Sequence, residues 1–374
     1  MRFLSSLLKY SFIYAKNYIL ESLAIRFPQI RLFTPKPLYV GLSVGTVCNL
    51  KCRQCDLWKM KTNPDKYLKP RQVKRILLSL KKWLGPFRLV FTGAEPFIRK
   101  DILKIIGVCR ENDIYTVLTS NGWLINQNKA REIVKSGLDV INISLDGVDS
   151  KTHDFLRGRK GAFEKATQAL KFLKKYKNKK ERPIIYINTV IMEPNIGQLE
   201  KLVKLTKKFG IDNIRFQALE SKFLFGNKKY DPQWYKKEPL WPKDWEKLST
   251  VLDKIKLLKE KGYPVKNTYQ ELEDIRLYYK NPLLLVNQQH YCFTGVRNFS
   301  IDSQGKVRLC FGMKPVGDLL KKEPEEIWYG KKAVALRQII ANCQRACRIL
   351  PCNKRESLNQ LIPAFWQRIK SIFK

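Results

Sequence analysis

The chain is predicted to be an α/β protein, a partial open barrel of six βα units over residues 36–220 followed by a small α+β module over 288–355. Three observations predict it. From Tyr39 to Leu219, short runs rich in β-branched and aromatic residues alternate with longer stretches of helical periodicity, the pattern of repeated βα units on a parallel sheet. Several of the short runs lead straight into Gly or Asn, as loops over a barrel mouth do. After His290 the pattern changes to a β-hairpin, a helix and a group of cysteines.

The elements follow in order. Residues 1–35 open with Phe3, Leu4, Leu7, Leu8, Phe12, Ala15, Ile19 and Leu23 at helical spacing, interrupted by Lys9, Lys16 and Glu21. This predicts an amphipathic helix, not a membrane span, whose stripe either packs on the domain or lies in a bilayer interface. Strands are predicted at Tyr39 to Val47, Arg88 to Thr92, Tyr115 to Thr119, Val140 to Leu145, Ile184 to Ile191 and Asn213 to Ala218. Helices are predicted at Arg71 to Trp83, Ile102 to Asn112, Gln127 to Ser136, Phe163 to Tyr176 and Gln198 to Phe209. A connector rich in Trp, Tyr and Lys spans 221–287, with a helix from Trp245 to Lys261. The second module begins with a hairpin, Asn298 to Asp302 and Lys306 to Cys310, around Ser303-Gln304-Gly305. Residues 356–374 carry Leu358, Leu361, Ile362, Phe365, Trp366, Ile369 and Phe373 with Arg368, Lys370 and Lys374, a second amphipathic and basic helix.

A chain of 374 residues, 44% hydrophobic, can bury a substantial core plus a smaller appendage. Its 72 Lys and Arg against 33 Asp and Glu leave a formal charge of +39, spread along the whole length. That field favours anionic partners, nucleic acid or acidic lipid, unless it is a Lys-rich compositional bias; it bears on association and not on fold. No interleaved aromatic and basic recognition motif stands out, so nucleic acid is the less favoured partner. With only His153 and His290 present, several imidazole bases or a multi-His metal site are excluded.

Nine cysteines without a cleavable signal pattern read as metal ligands in a reducing, cytoplasmic compartment, not as disulfides. Cys109 lies inside a helical pattern and reads as buried packing; the other eight form two groups. Cys48-Asn49-Leu50-Lys51-Cys52-Arg53-Gln54-Cys55 has the spacing C-x3-C-x2-C directly after the first predicted strand. Three thiolates on one tight loop can hold three irons of a cubane and leave the fourth iron open to chelate an amino and a carboxylate group. A structural zinc site needs a fourth ligand, and neither Cys nor His follows Cys55 at the usual spacing.

This loop, with the elements that follow it in order, resembles the radical S-adenosylmethionine (SAM) superfamily. Gly93-Ala94-Glu95-Pro96 after the second strand is similar to the family's G-G-E-P element, with Ala94 in place of the second Gly. Ser120-Asn121-Gly122 follows the third strand; Ser144-Leu145-Asp146-Gly147, Thr152-His153-Asp154 and Arg157-Gly158 follow the fourth. The resemblance implies a partial (β/α)6 barrel of the radical SAM type and a [4Fe-4S] cluster on Cys48, Cys52 and Cys55. It implies S-adenosylmethionine held by Gly93, Ala94, Glu95 and Pro96, with Ser120 and Asn121 around it and Ser144 at the ribose. Asp146 and Arg157 are implied near the cofactor or substrate, and Asn188 and Asn195 are further candidates. The family often places an aromatic residue just after the second cysteine; here that position is Arg53, and Trp58 downstream either compensates or packs.

Cys292-x12-Gly305-x4-Cys310 resembles the opening of the SPASM and twitch auxiliary-cluster domains, and Cys343-x3-Cys347-x4-Cys352 supplies three more thiols. The count favours a single auxiliary [4Fe-4S] cluster, of the twitch type, on Cys292, Cys310 and Cys343, then Cys347. Cys352 is either the fourth ligand or a spare thiol, and zinc is the competing metal for this group.

The resemblance further implies an external electron donor such as flavodoxin or ferredoxin, a 5′-deoxyadenosyl radical, and hydrogen abstraction from a peptide or small-molecule substrate. The auxiliary cluster then accepts an electron or orients substrate. The amphipathic ends motivate a variant in which the chain touches the inner face of the membrane and acts on a lipid or lipid-linked saccharide. Action on RNA is another variant, and a metal-stabilised basic nucleic-acid-binding protein is the non-enzyme alternative.

Overall fold

The computed structural model describes residues 17, 19–60, 63–177, 182–221, 231–288, 291–347 and 349. Their framework is a nine-stranded sheet in the order β6-β5-β4-β3-β2-β1-β7-β8-β9. The first six strands are β1 (Tyr39–Ser43), β2 (Arg88–Thr92), β3 (Tyr115–Ser120), β4 (Val140–Ser144), β5 (Ile184–Ile191) and β6 (Asn213–Ala218), each parallel to the next. This is the predicted partial barrel. Strand β5 shows the cause at residue level: Ile185, Ile187, Thr189 and Ile191 are buried while their neighbours are half-buried, the period of two of a pleated strand.

Helices return each strand to the next. The helix Pro70–Leu84 buries Val73, Ile76, Leu77, Leu80, Trp83 and Leu84, and the helix Leu199–Phe209 buries Leu199, Leu202, Val203 and Thr206, stripes of period 3.6 facing the sheet. Helix Gln127–Ser136 starts at Asn126, whose side chain accepts from Lys129 N, and stops at Gly137 in the left-handed region.

One predicted strand is shorter than expected, and one helix beside the barrel strands was not predicted. β1 ends at Ser43, not Val47, because after a last ladder bond from Val44 N to Thr92 O the chain turns at Gly45. A helix at Ser150–Arg157 was not placed on the sequence, although Asp149 caps it by accepting from Thr152 N and Gly158 ends it in the left-handed region. Eight residues are too few for a periodic stripe, which is why only its caps mark it.

The second module is continuous with the barrel. β7 (Asn298–Ile301) pairs in parallel with β1, and β8 (Lys306–Arg308) and β9 (Gly317–Asp318) extend the sheet antiparallel. The predicted hairpin is therefore present, and it covers an edge of β1 that a six-stranded sheet would leave open. Trp83, Phe299 and Trp328 pack ring against ring across this seam, with centroids 5.9 to 6.3 Å apart. The helix Lys331–Ala341 follows.

Of the N-terminal amphipathic segment, the described part ends in a helix reaching Arg26. Glu21, read as a break in its apolar stripe, is fully buried and pairs with Arg297 at 2.7 Å. Removing one member of such a pair strands the other charge, so Glu21→Ala is expected to lower unfolding free energy by about 3 kcal/mol in urea titration; a loss under about 1 kcal/mol would refute the pinning. No described helix is long and apolar enough to cross a membrane. The predicted C-terminal helix, Cys352 and His290 lie outside the described residues.

Candidate active site

Loops at the C-terminal ends of β1 to β5 converge on the first cysteine group. The β1 loop and the β2 loop are stitched together: Ala94 N donates to Gly45 O at 3.0 Å and Glu95 N to Val47 O at 3.4 Å. Gly93, at φ +100°, lies so close that a Cβ there would stand 2.5 Å from Gly45 O. Ala94 is not in the left-handed region, which explains why the second Gly of the motif is dispensable here.

The Glu95 carboxylate is buried and accepts from Ser120 Oγ (2.9 Å), Asn121 N (2.8 Å) and Phe97 N (3.2 Å). Burial nonetheless pushes its carboxyl up to about 7. Ser120 and Asn121 thus act first on Glu95, and Asn121 also donates to Asn49 on the cysteine loop at 2.8 Å. Ser144 ends β4 in register with Asn188, whose side chain donates to Gln217. Asn195 brackets the β5 loop, donating to Asp146 O and Val190 O.

Behind the cysteine loop sits a buried ion pair. Arg157 Nη2 meets Asp146 Oδ2 at 2.7 Å, and Asp146 also accepts from Val190 N at 2.9 Å and Gln54 Nε2 at 3.2 Å. The Arg157 charge also favours the thiolate of Cys52, so the side chain acts on carboxylate and thiol together. Burial opposes the charge on Arg157, but Asp146, Cys52 and Cys55 together hold its pKa above the usual value. For Asp146, burial pushes the carboxyl up while Arg157 and the donated hydrogen bonds oppose it. His153 Nδ1 accepts from Asp146 N at 3.0 Å, and burial then the Arg157 charge keep its imidazole neutral.

The three thiols fit a cluster. None is in a disulfide, and they lie close enough to interact electrostatically. Cys48 Sγ accepts from Leu50 N at 3.5 Å and Cys55 Sγ from Leu57 N at 3.4 Å. Burial pushes the Cys48 thiol up to about 11 and raises Cys52 and Cys55, so a cationic metal group is what would draw out the thiolates. Among the described residues no three His, Cys, Asp or Glu side chains converge to hold one metal ion. Asn49 Nδ2, Gln54 Oε1 and Arg157 Nε are buried here without a hydrogen-bond partner among the described residues, donors and acceptors that a bound group would satisfy.

In the second group, Cys292 and Cys343 act electrostatically on Cys310, whose thiol burial pushes up to about 11. Sheet and helix achieve this: Cys310 follows β8, and Cys292 N donates to Ala341 O at the end of the helix that precedes Cys343. Cys347 lies on the same segment, half-buried. Cys109 is fully buried in the core, as its helical position predicts.

Arg53 stacks on Phe155, its guanidinium 4.0 Å from the ring centroid, and Trp58 Nε1 donates to Cys52 O at 3.3 Å. Gly158 abuts Lys51 O where any Cβ would overlap. Gln54, Phe155 and Arg159, which donates to Asn49 O at 2.6 Å, were not singled out on the sequence. Each meets its partner across 92 to 110 positions, a separation with no local signature.

Comparison with known proteins agrees with this geometry. A family model described as the radical SAM superfamily matches residues 42–206, and one described as an iron-sulfur cluster-binding domain, SPASM, matches 292–353. Fe-coproporphyrin III synthase of Methanosarcina barkeri is 27% identical over 217 residues, 58% of this chain and 51% of that protein. Pre-heme d1 synthase of Dinoroseobacter shibae is 29% identical over 192 residues, 51% of this chain and 46% of that protein. The chain thus spans about half the length of the curated relatives it matches. Among solved structures, Streptococcus suis SuiB bound to S-adenosylmethionine superposes with a TM-score of 0.62 at 18% identity, covering 81% of this chain and 68% of that one. The anSMEcpe structure with AdoMet and a peptide gives 0.59 at 19% identity, covering 88% and 96%. Identities this low carry the fold alone.

Proposed function

Given that the chain belongs to the radical SAM superfamily, with a SPASM domain after its radical SAM domain, we propose that it is a radical SAM enzyme acting on a peptide or small-molecule substrate. Cys48, Cys52 and Cys55 would hold the first [4Fe-4S] cluster, and Cys292, Cys310, Cys343 and Cys347 an auxiliary one. When bound, cluster and S-adenosylmethionine supply reductive cleavage to methionine and a 5′-deoxyadenosyl radical that takes a substrate hydrogen, the electron coming from an external carrier.

The chain's own residues do the positioning. Glu95, aimed by Ser120, Asn121 and Phe97, receives the methionine amino group beside Cys48. Gly93, Ala94 and Pro96 hold that loop against the cysteine loop. Ser144, at the end of β4, faces the ribose by the family resemblance. Asp146 fixes Arg157, and Arg157 places a positive charge on Cys52. Burial of Glu95, Asp146 and Arg157 limits water around this part of the site.

Peptide substrates are supported by the likeness in fold to SuiB, solved with its precursor peptide SuiA, and to anSMEcpe, solved with peptides. Small-molecule substrates are supported by the heme-related synthases among the sequence relatives.

One observation carries the reading: three mutually close thiols on the loop after β1, Cys52 buried and Cys48 and Cys55 half-buried, tied to a buried carboxylate on the next loop. The test is anaerobic reconstitution with iron and sulfide, then dithionite and S-adenosylmethionine. Binding of about eight irons and formation of 5′-deoxyadenosine are expected. Zinc retained in place of iron, or full iron loading without product, would overturn it.

A further inference from the structure

The N-terminal helix meets the fold with its polar side. Asn17, Glu21 and Ala24, which share one face at i, i+4 and i+7, are its buried residues: Asn17 Nδ2 donates to Lys36 O at 3.1 Å, and Glu21 pairs with Arg297. Pinning that stripe inward turns the apolar stripe out. Ile19, 66% exposed, Leu23, half-buried, and Phe27, exposed, follow one another at i, i+4 and i+8. Beyond the helix, bonds from Ile30 N to Phe27 O and from Phe33 N to Ile30 O carry the row on by threes, and Ile30 is exposed as well. Leu32, in the short turn of helix Arg31–Phe33, is 81% exposed. A helix that merely packs on its domain does the reverse, and a row of large apolar side chains left at the surface marks a contact.

We propose that this face lies in the interface of an anionic lipid bilayer. The contact stands apart from the proposed chemistry and needs no cluster. Among the first 35 residues Glu21 is the only carboxylate, against Arg2, Lys9, Lys16, Arg26 and Arg31. The fold turns that carboxylate inward, while Arg26 and Arg31 stay exposed. Glu325 answers Arg31 at 2.8 Å, so Arg26 and the cations upstream set the sign of the segment.

That sign selects the occupant. A second copy would bring the same cations to the contact, and residues 356–374, the other amphipathic stretch, carry Arg368, Lys370 and Lys374 against Glu356 alone. Like charge opposes both. An anionic bilayer satisfies the two halves of the surface together, taking Ile19, Phe27, Ile30 and Leu32 into the boundary of the acyl chains and the cations onto its headgroups.

The net charge of +39 draws the whole chain to any anionic surface, so the test holds charge constant. Full-length wild type and Ile19→Ser/Leu32→Ser are compared by flotation with vesicles of phosphatidylcholine and phosphatidylglycerol in equal parts. Both positions are well exposed, so the variant is expected to keep the wild-type urea midpoint. Its apparent affinity for the vesicles is expected to fall at least about tenfold. Ile339→Ser, at a position 62% exposed on the helix Lys331–Ala341, should bind as wild type does. Leu32→Trp should bind more tightly, a gain that a folding defect cannot imitate. Vesicles of phosphatidylcholine alone should bind the wild type more weakly. Equal affinity of wild type and double variant would overturn the proposal, because charge alone would then account for binding. A wild type that does not float would overturn it as well, and a dimer in sedimentation velocity that the double variant loses would then give this face to a second copy.

Discussion

Cys52→Ala is expected to bring 5′-deoxyadenosine formation down to background and to remove about four of about eight bound irons. The effect is the largest available because the loop has no spare ligand. Cys48 and Cys55 are the other thiols on it; among the described residues the remaining cysteines are Cys109 in the core and Cys292, Cys310, Cys343 and Cys347 of the second group. Cys52 is also the thiol on which the Arg157 charge acts, so its loss removes that link, while the backbone carbonyl that accepts from Trp58 Nε1 remains. Iron analysis beside product assay separates the outcomes. Cys109→Ala serves as the control, since a packing thiol should leave both iron content and product unchanged. A Cys52→Ala protein that keeps its full iron and still forms 5′-deoxyadenosine would show that the cluster is held elsewhere.

The second large effect is expected at Arg157. Replacing it by Gln leaves Asp146 fully buried without its counter-ion, a loss of about 3 to 5 kcal/mol of stability. It also withdraws a positive charge from the thiol it contacts, so the site becomes harder to reduce and its midpoint potential falls. The two consequences are separable. The double variant Asp146→Asn/Arg157→Gln removes the stranded carboxylate and should recover most of the stability, as coupled neighbours do. An EPR-monitored redox titration reads the other consequence, and a potential identical to wild type would reduce Arg157 to a structural role.

Much of the molecule was legible in sequence. The six barrel strands and five of their helices fall within a few residues of their predicted positions, because pleat and helix periods are local properties of side-chain order. The loop cysteines and the Gly93-Ala94-Glu95-Pro96 element were legible for the same reason, since ligands on one tight loop must be spaced in sequence as they are in space. Even the auxiliary group could be read, because a hairpin of known turn length brings Cys292 and Cys310 to one end.

What the sequence by itself determined, then, was which segments become strands and which short motifs carry the grouped thiols and the buried Glu95. Only the tertiary structure decided that Arg157 pairs with Asp146 beside Cys52, that Gln54 reaches Asp146 and that Arg53 rests on Phe155. It alone decided that β7 pairs with β1, making the second module an extension of the barrel, and that Glu21 leaves its helix stripe to meet Arg297 in the core. The physical reason is common to all of these. Each joins residues or segments that fold along their own periodicity without reference to each other, and they meet only when the parallel sheet brings the ends of its strands to one mouth. A buried charge then takes whichever partner that packing supplies, because leaving it unpaired costs more than any local preference returns.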